Sequence, residues 1–166
     1  GYSCNTTDED ELNEAMEELK IQSKLNKAYT IDEVRDKMIN GAAAIGVIYS
    51  GEYLYCQEEN EDLEYVIPKE GTNIWYDGWV ITKGSENVEN AHKWIDFLCS
   101  QEAAYDNFEY IYYGTPNIAA QELIDEDIIN NPGVFPDEET IEKCEVYNYL
   151  GEEAEDMYYE LWKKVK

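Results

Sequence analysis

The chain has 166 residues, of which 38 are acidic and 12 basic, for a formal net charge of −26, and 43% of its residues are hydrophobic. That apolar content excludes a disordered acidic tail, because a domain of about 150 residues buries roughly 70% of the surface its unfolded chain exposes. The charge is spread along the sequence and repels nucleic acid and anionic lipid while drawing in cations; most individual acids are expected to be solvated surface.

In chain order, Thr7 and Asp10 have capping-box spacing, and Leu12, Ala15, Met16 and Leu19 recur at helical intervals, so a helix is predicted over about 8–20. A second helix is capped by Thr30 and Glu33, turns Ile31, Val34 and Met38 inward, and stops at Asn40-Gly41. Ala42 to Tyr49 is a continuous apolar run of small and β-branched residues, read as a strand buried on both faces. Gly51 opens a helix to about Glu59. Leu63 to Ile67 and Asn73 to Thr82 read as further strands, separated by the breaker Pro68-Lys-Glu-Gly71. Val88, Ala91, Ile95 and Leu98 mark a helix from Asn87, and the helical pattern resumes from Gln101 toward Tyr110. Short helices are expected around Ala119 to Ile124 and from Asp137, then an extended stretch near Val146. The last helix, Glu152 to Val165, gathers Met157, Leu161 and Trp162 near one face. Strands alternating with helices indicate the α/β class.

No apolar run reaches 18 residues, so no segment of this chain is predicted to span a membrane, and no signal peptide is recognisable. The abrupt opening without Met leads us to expect a start inside a larger gene product. Cys4, Cys56, Cys99 and Cys144 are far apart and form no C-x-x-C pair, and His92 is the only histidine. A zinc site is not expected from such ligands, and the cysteines should be free, mostly buried thiols.

The segment from Glu64 to Trp79 ends with Asp77 set among Trp75, Tyr76 and Trp79. An aromatic face attracts an organic ammonium by about 0.5–2 kcal/mol, and a carboxylate adds charge and a hydrogen-bond acceptor. The local chemistry suits capture of a small cation. Residues two apart on a strand share a face, so Trp75 and Asp77 can touch one ligand while Tyr76 points away. Tyr49, Ser50, Gly51 and Glu52 sit where a strand meets a helix, the point at which open α/β sheets present ligand contacts. The plainer alternatives are a core Tyr49, a Glu52 favoured only by the helix dipole, and a surface Asp77 beside a packed Trp75. Trp79, Trp94 and Trp162 are expected in the core, and His92 on a helix surface.

Several blocks keep a distinctive order: Gly1-Tyr-Ser-Cys-Asn-Thr-Thr-Asp, Gly46-Val-Ile-Tyr-Ser-Gly-Glu, Ile67-Pro-Lys-Glu-Gly, Trp75-Tyr-Asp, Asn87-Val-Glu-Asn-Ala, Trp94-Ile-Asp-Phe-Leu and Gly114-Thr-Pro-Asn. In these blocks the whole chain resembles the extracytoplasmic spermidine/putrescine-binding proteins of ABC transporters, and specifically their C-terminal portion. The resemblance implies an α/β, two-lobe, periplasmic-binding-protein-like (type II) fold, here as a C-terminal fragment with one lobe largely present. Residues 1–75 and 119–166 would form the C-terminal lobe, and 76–118 would belong to the N-terminal lobe, most of which lies upstream. It also implies a solute-binding component of a polyamine importer, without catalysis, cofactor or metal, held at the periplasm or cell surface through an upstream anchor. Its partners would be spermidine or putrescine and a membrane permease, not nucleic acid.

By the same resemblance Asp77 would bind an amino group, Trp75 would cover the methylenes, Tyr49 would replace the usual stacking Trp, and Glu52 would be a second ammonium-binding carboxylate. Tyr113 and Tyr147 would hydrogen-bond a terminal amine. Two other functions stay open: a carbohydrate-binding module or glycosidase, since aromatic platforms with carboxylates also suit sugars, and an isolated lobe used for interaction. If the rest of the second lobe is missing, the apolar residues of 76–118 are expected either to fold back on the first lobe or, as the favoured outcome, to promote self-association.

Overall fold

The first helix begins where the Asp8 carboxylate accepts hydrogen bonds from the backbone N–H groups of Asp10 at 2.9 Å and Glu11 at 3.1 Å. Asp8 rather than Thr7 is therefore the cap, because a carboxylate both satisfies two orphan donors and puts negative charge at the helix N-terminus. The computed structural model describes all residues from Gly1 to Lys166. The helices in order are α1 (Glu9–Ser23), α2 (Glu33–Ile39), α3 (Ser50–Glu59), α4 (Val88–Leu98), α5 (Gln101–Ile111), α6 (Ile118–Gln121), α7 (Glu126–Ile129), α8 (Glu138–Glu142) and α9 (Glu152–Lys163). They fall in two compact units, one made of Gly1–Ile31, Pro68–Trp75 and Glu139–Lys166, the other of Asp32–Ile67 and Tyr76–Glu138.

In the first unit α1 packs on α9 around buried Leu12, Met16, Leu161 and Val165, with Leu19, Met157, Tyr158 and Trp162 at the margin. Trp162 also meets Tyr29 edge-on at 4.9 Å between ring centres, so it lies half-buried against the core and not within it as expected. The opening residues are tied to Glu145: Ser3 donates to its carboxylate, and Asn5 Nδ2 donates to it at 3.3 Å and to the Val146 carbonyl at 2.9 Å. The Ser3 hydrogen bond, helped by Asn5 and Cys4 against the effect of burial, holds the Glu145 carboxyl below its ordinary range. One parallel bridge joins Asn73 to Glu145, with Ile74 N–H donating to the Glu145 carbonyl at 2.9 Å and Glu145 N–H to that of Thr72 at 3.0 Å. Just before it Gly71 stands at φ +90°, where a Cβ would lie 1.9 Å from the Lys143 carbonyl oxygen. Only glycine fits that approach.

The second unit is built on a core of Tyr53, Leu54, Phe108, Ile124 and Val134, packed at its edge by Tyr65, Tyr105, Tyr112, Phe135 and others. Phe108 is 1% exposed, which contributes about 1.5–3 kcal/mol relative to leaving the ring in water. Its ring lies 6.0 Å from Phe135 and 6.3 Å from Tyr112. Gln101 Nε2 at the start of α5 donates to the Ala119 carbonyl in α6 at 2.7 Å, and Asn117 Nδ2 donates to the carbonyl of Cys99 at the end of α4 at 2.8 Å. Asn117 also caps α6 through Ala120 N–H at 3.1 Å. The cap of α2 is Asp32, two residues after Thr30, so Ile31 is left 73% exposed instead of facing inward.

The helices arise where the spacing predicts, except the short α7, which was not expected, and the strands do not form. The segments 42–49, 63–67 and 73–82 carry no strand ladder, and the Asn73–Glu145 bridge is their one β pairing. A strand exists through backbone bonds to a neighbouring strand, and no two of these segments supply them to each other. Ile45 and Val47, predicted to be buried on both faces, are 88% and 93% exposed. Trp79 and Trp94, predicted as core, are also exposed, and so are Val88 and Phe97 on the apolar stripe of α4. All four cysteines are free, but only Cys56 is fully buried; Cys4 and Cys144 are half-buried and Cys99 is exposed.

Candidate functional site

Helix α3 starts directly from Tyr49, whose backbone is still extended at φ −72° and ψ 149°. Three residues on, Glu52 occupies the first turn, where the helix dipole favours an acid. Tyr49 and Glu52 thus emerge from one end of one helix, as residues three apart do. Gly51 between them is buried beneath Tyr113: a Cβ there would lie 2.5 Å from Cδ2 and Cε2 of the Tyr113 ring and 2.6 Å from the Ile111 carbonyl oxygen. The ring is brought there by the end of α5, where Tyr112 adopts φ +57° and turns the chain. The Tyr112 hydroxyl donates to Glu58 Oε1 on α3 at 2.5 Å, which pins the α5 terminus to α3. That hydrogen bond, with burial and the Glu58 charge, pushes the Tyr112 hydroxyl up to about 12.

Burial raises Tyr113 above the ordinary phenol range, and the charges of Glu52 and Asp77, with the Tyr49 and Tyr65 hydroxyls, act in the same direction. Tyr49, Glu52, Asp77 and Tyr113 therefore belong to one electrostatic neighbourhood, all in the second unit. Tyr49 is 51% exposed, Asp77 is exposed, and Tyr113 is half-buried. Acceptors and aromatic faces of this kind suit a cation bearing N–H donors.

The other two predicted residues lie in the first unit. Trp75, 38% exposed, ends the 68–75 segment, and Tyr147, 64% exposed, lines an open hollow of about 820 Å³ with Ser3, Cys4, Leu12 and Tyr158. His92 is exposed on α4, and no group of three or more histidine, cysteine, aspartate or glutamate side chains is placed to hold a metal ion.

Sequence reasoning missed Arg35, the only arginine in the chain. Its Nη1 lies 3.1 Å from Glu52 Oε2, and its guanidinium carbon sits 4.5 Å over the centre of the Tyr55 ring. The signal available was a single arginine in a strongly acidic chain, on the helix that precedes α3.

Residues 4–136 match the family model described as bacterial extracellular solute-binding protein. Over its whole length the chain is 36% identical to the spermidine/putrescine-binding periplasmic protein of Salmonella typhimurium, of which it covers 47%. A solved structure from Listeria monocytogenes is 40% identical, with a TM-score of 0.86 over 99% of this chain and 51% of that one. The spermidine/putrescine ABC transporter substrate-binding protein of Streptococcus pneumoniae, solved with calcium and HEPES, is 37% identical with a TM-score of 0.89, over the same shares. The chain spans about half the length of the relatives it matches, and over that half it has the fold expected from the sequence blocks. With most of its length inside the matched region, this chain belongs to the bacterial extracellular solute-binding protein family.

Proposed function

We propose that the chain is part of the solute-binding component of a spermidine/putrescine ABC importer, working by capture and release without catalysis. The observation that carries this function is the packing of the Tyr113 ring on Gly51, between Tyr49 and Glu52 at the start of α3, where the charges of Glu52 and Asp77 act on its hydroxyl in a chain of net charge −26. The spermidine/putrescine-binding relatives from Salmonella and Streptococcus support the same ligand class.

In this function Asp77 pairs with one ammonium group, because a buried ammonium left unpaired costs several kcal/mol. Glu52 takes another, Tyr49 covers the methylenes between them, and the Tyr113 hydroxyl accepts a hydrogen bond from a terminal amine. The spacing of the carboxylates then selects among polyamines by amine separation. Residues 1–75 and 119–166 would contribute to one lobe and 76–118 to the other. The complete protein would work outside the cytoplasm, beside a permease and anchored through a segment upstream of Gly1.

Calorimetric titration of the full-length protein tests this. Spermidine or putrescine should bind, and Asp77→Asn should suppress the heat. Tight binding of a neutral sugar with no response to either polyamine would overturn the proposal.

A further inference from the structure

Helix α3 places Glu52 and Tyr55 three residues apart, so an acid and an aromatic ring share one face. Those are the two components of an ammonium site, and a cation belonging to the protein already lies on them. Arg35 reaches across from α2, with Nη1 3.1 Å from Glu52 Oε2 and its guanidinium carbon 4.5 Å over the Tyr55 ring. The guanidinium is half-buried, and its Nε is fully buried without a hydrogen-bond partner. A planar group that leaves one of its donors unsatisfied is held by the acid and the ring together, not by a complete set of hydrogen bonds. The contact to Glu52 is also single: one guanidinium nitrogen on one carboxylate oxygen, where a paired fork would occupy both.

We propose that Arg35 is a tethered competitor for the ligand's ammonium at Glu52, setting how tightly the site holds a cation. The proposal rests on the assignment of Glu52 to the polyamine site. An ammonium arriving at Glu52 either displaces the guanidinium or shares the carboxylate with it through the second oxygen. In both cases a positive charge stands beside the incoming one and weakens its binding. At roughly 6 Å and an effective dielectric of about 40, suited to a half-exposed pair, that repulsion corresponds to about a tenfold loss of affinity. The device would let a strongly acidic protein release its cargo instead of trapping it.

The experiment is calorimetric titration of the full-length protein with spermidine and with putrescine, at two salt concentrations, for wild type, Arg35→Gln, Arg35→Lys and the double variant Arg35→Gln/Glu52→Gln. Arg35→Gln should bind about tenfold more tightly and with a steeper salt dependence. Arg35→Lys, which keeps the charge, should return to the weaker affinity, and the double variant should lose the gain. Affinity unchanged or lowered in Arg35→Gln overturns the proposal, the second outcome showing instead that Arg35 holds Glu52 in place. If Arg35→Gln does not fold, the wild-type protein decides: the Arg35 Nε–H resonance, assigned by its absence in Arg35→Lys, should shift on saturation with spermidine. An unmoved resonance at saturation overturns the proposal. If wild type binds neither polyamine, the assigned function itself fails, an outcome distinct from wild-type binding with Arg35→Gln unaltered.

Discussion

Gly51→Ala adds one methyl group at a position where the surrounding atoms leave no room. The new Cβ would lie 2.5 Å from two carbons of the Tyr113 ring and 2.6 Å from the Ile111 carbonyl oxygen. Carbon pairs attract best at about 3.5–4.0 Å, so the ring must retreat by about 1 Å. The carbonyl is backbone at the end of α5 and cannot swing aside as a side chain does. Overpacking of this kind costs typically about 1–3 kcal/mol. Ala is a better helix former than Gly by about 1 kcal/mol in a helix interior, and by less in a first turn, which offsets part of the clash. The net expectation is a destabilisation of about 1–2 kcal/mol, lowering the urea midpoint by roughly 0.5–1 M. Urea unfolding of the full-length protein, followed by far-ultraviolet circular dichroism and by fluorescence, measures it. Because Tyr113 would be displaced from α3, spermidine affinity should fall in parallel. A Gly51→Ala protein as stable as wild type, or more stable, would show that the ring does not press on Gly51 and would remove the packing basis of the site.

Tyr112 should ionise late. Its hydroxyl is raised to about 12 by the hydrogen bond to Glu58, so its contribution to stability is complete below the unfolded value near 10 and is lost as pH rises through the folded one. Spectrophotometric titration at alkaline pH should lose its last tyrosine step in Tyr112→Phe; an unchanged final step would refute the assignment. The 166-residue chain expressed alone should self-associate, because Ile45, Val47, Tyr76, Trp79 and Val80 are between 68% and 93% exposed. Sedimentation at micromolar concentration checks this, and a clean monomer that binds no apolar dye would contradict it. The isolated chain should also bind spermidine much more weakly than the full-length protein.

The helices were legible because their determinants are local. Leu12, Met16 and Leu19 repeat at the helical period, and a cap acts on donors two or three residues away, so even the errors at Thr7 and Thr30 displaced an end by only one or two residues. The block Trp75-Tyr-Asp and the start of α3 after Tyr49 were visible as order along the chain. What the linear order does not carry is long-range partnership. The Asp32–Ile67 segment and the Tyr76–Glu138 segment meet to put Tyr113 on Gly51. Arg35 finds Glu52 17 positions away through the packing of α2 on α3.

By itself, then, the sequence determined the helical segments, the acidic character and the positions of the residues suited to cation capture, all set by neighbours within a few positions. Tertiary structure alone decided that Ile45 and Val47 of the apolar run 42–49 are exposed instead of sheeted, that Trp79 and Trp94 lie outside the core, and that Glu52 already holds a cation of the protein's own. The physical reason is common to all three. A strand, a buried face and an ion pair each require a partner whose arrival depends on how distant segments pack, whereas a helix closes its hydrogen bonds on itself every four residues.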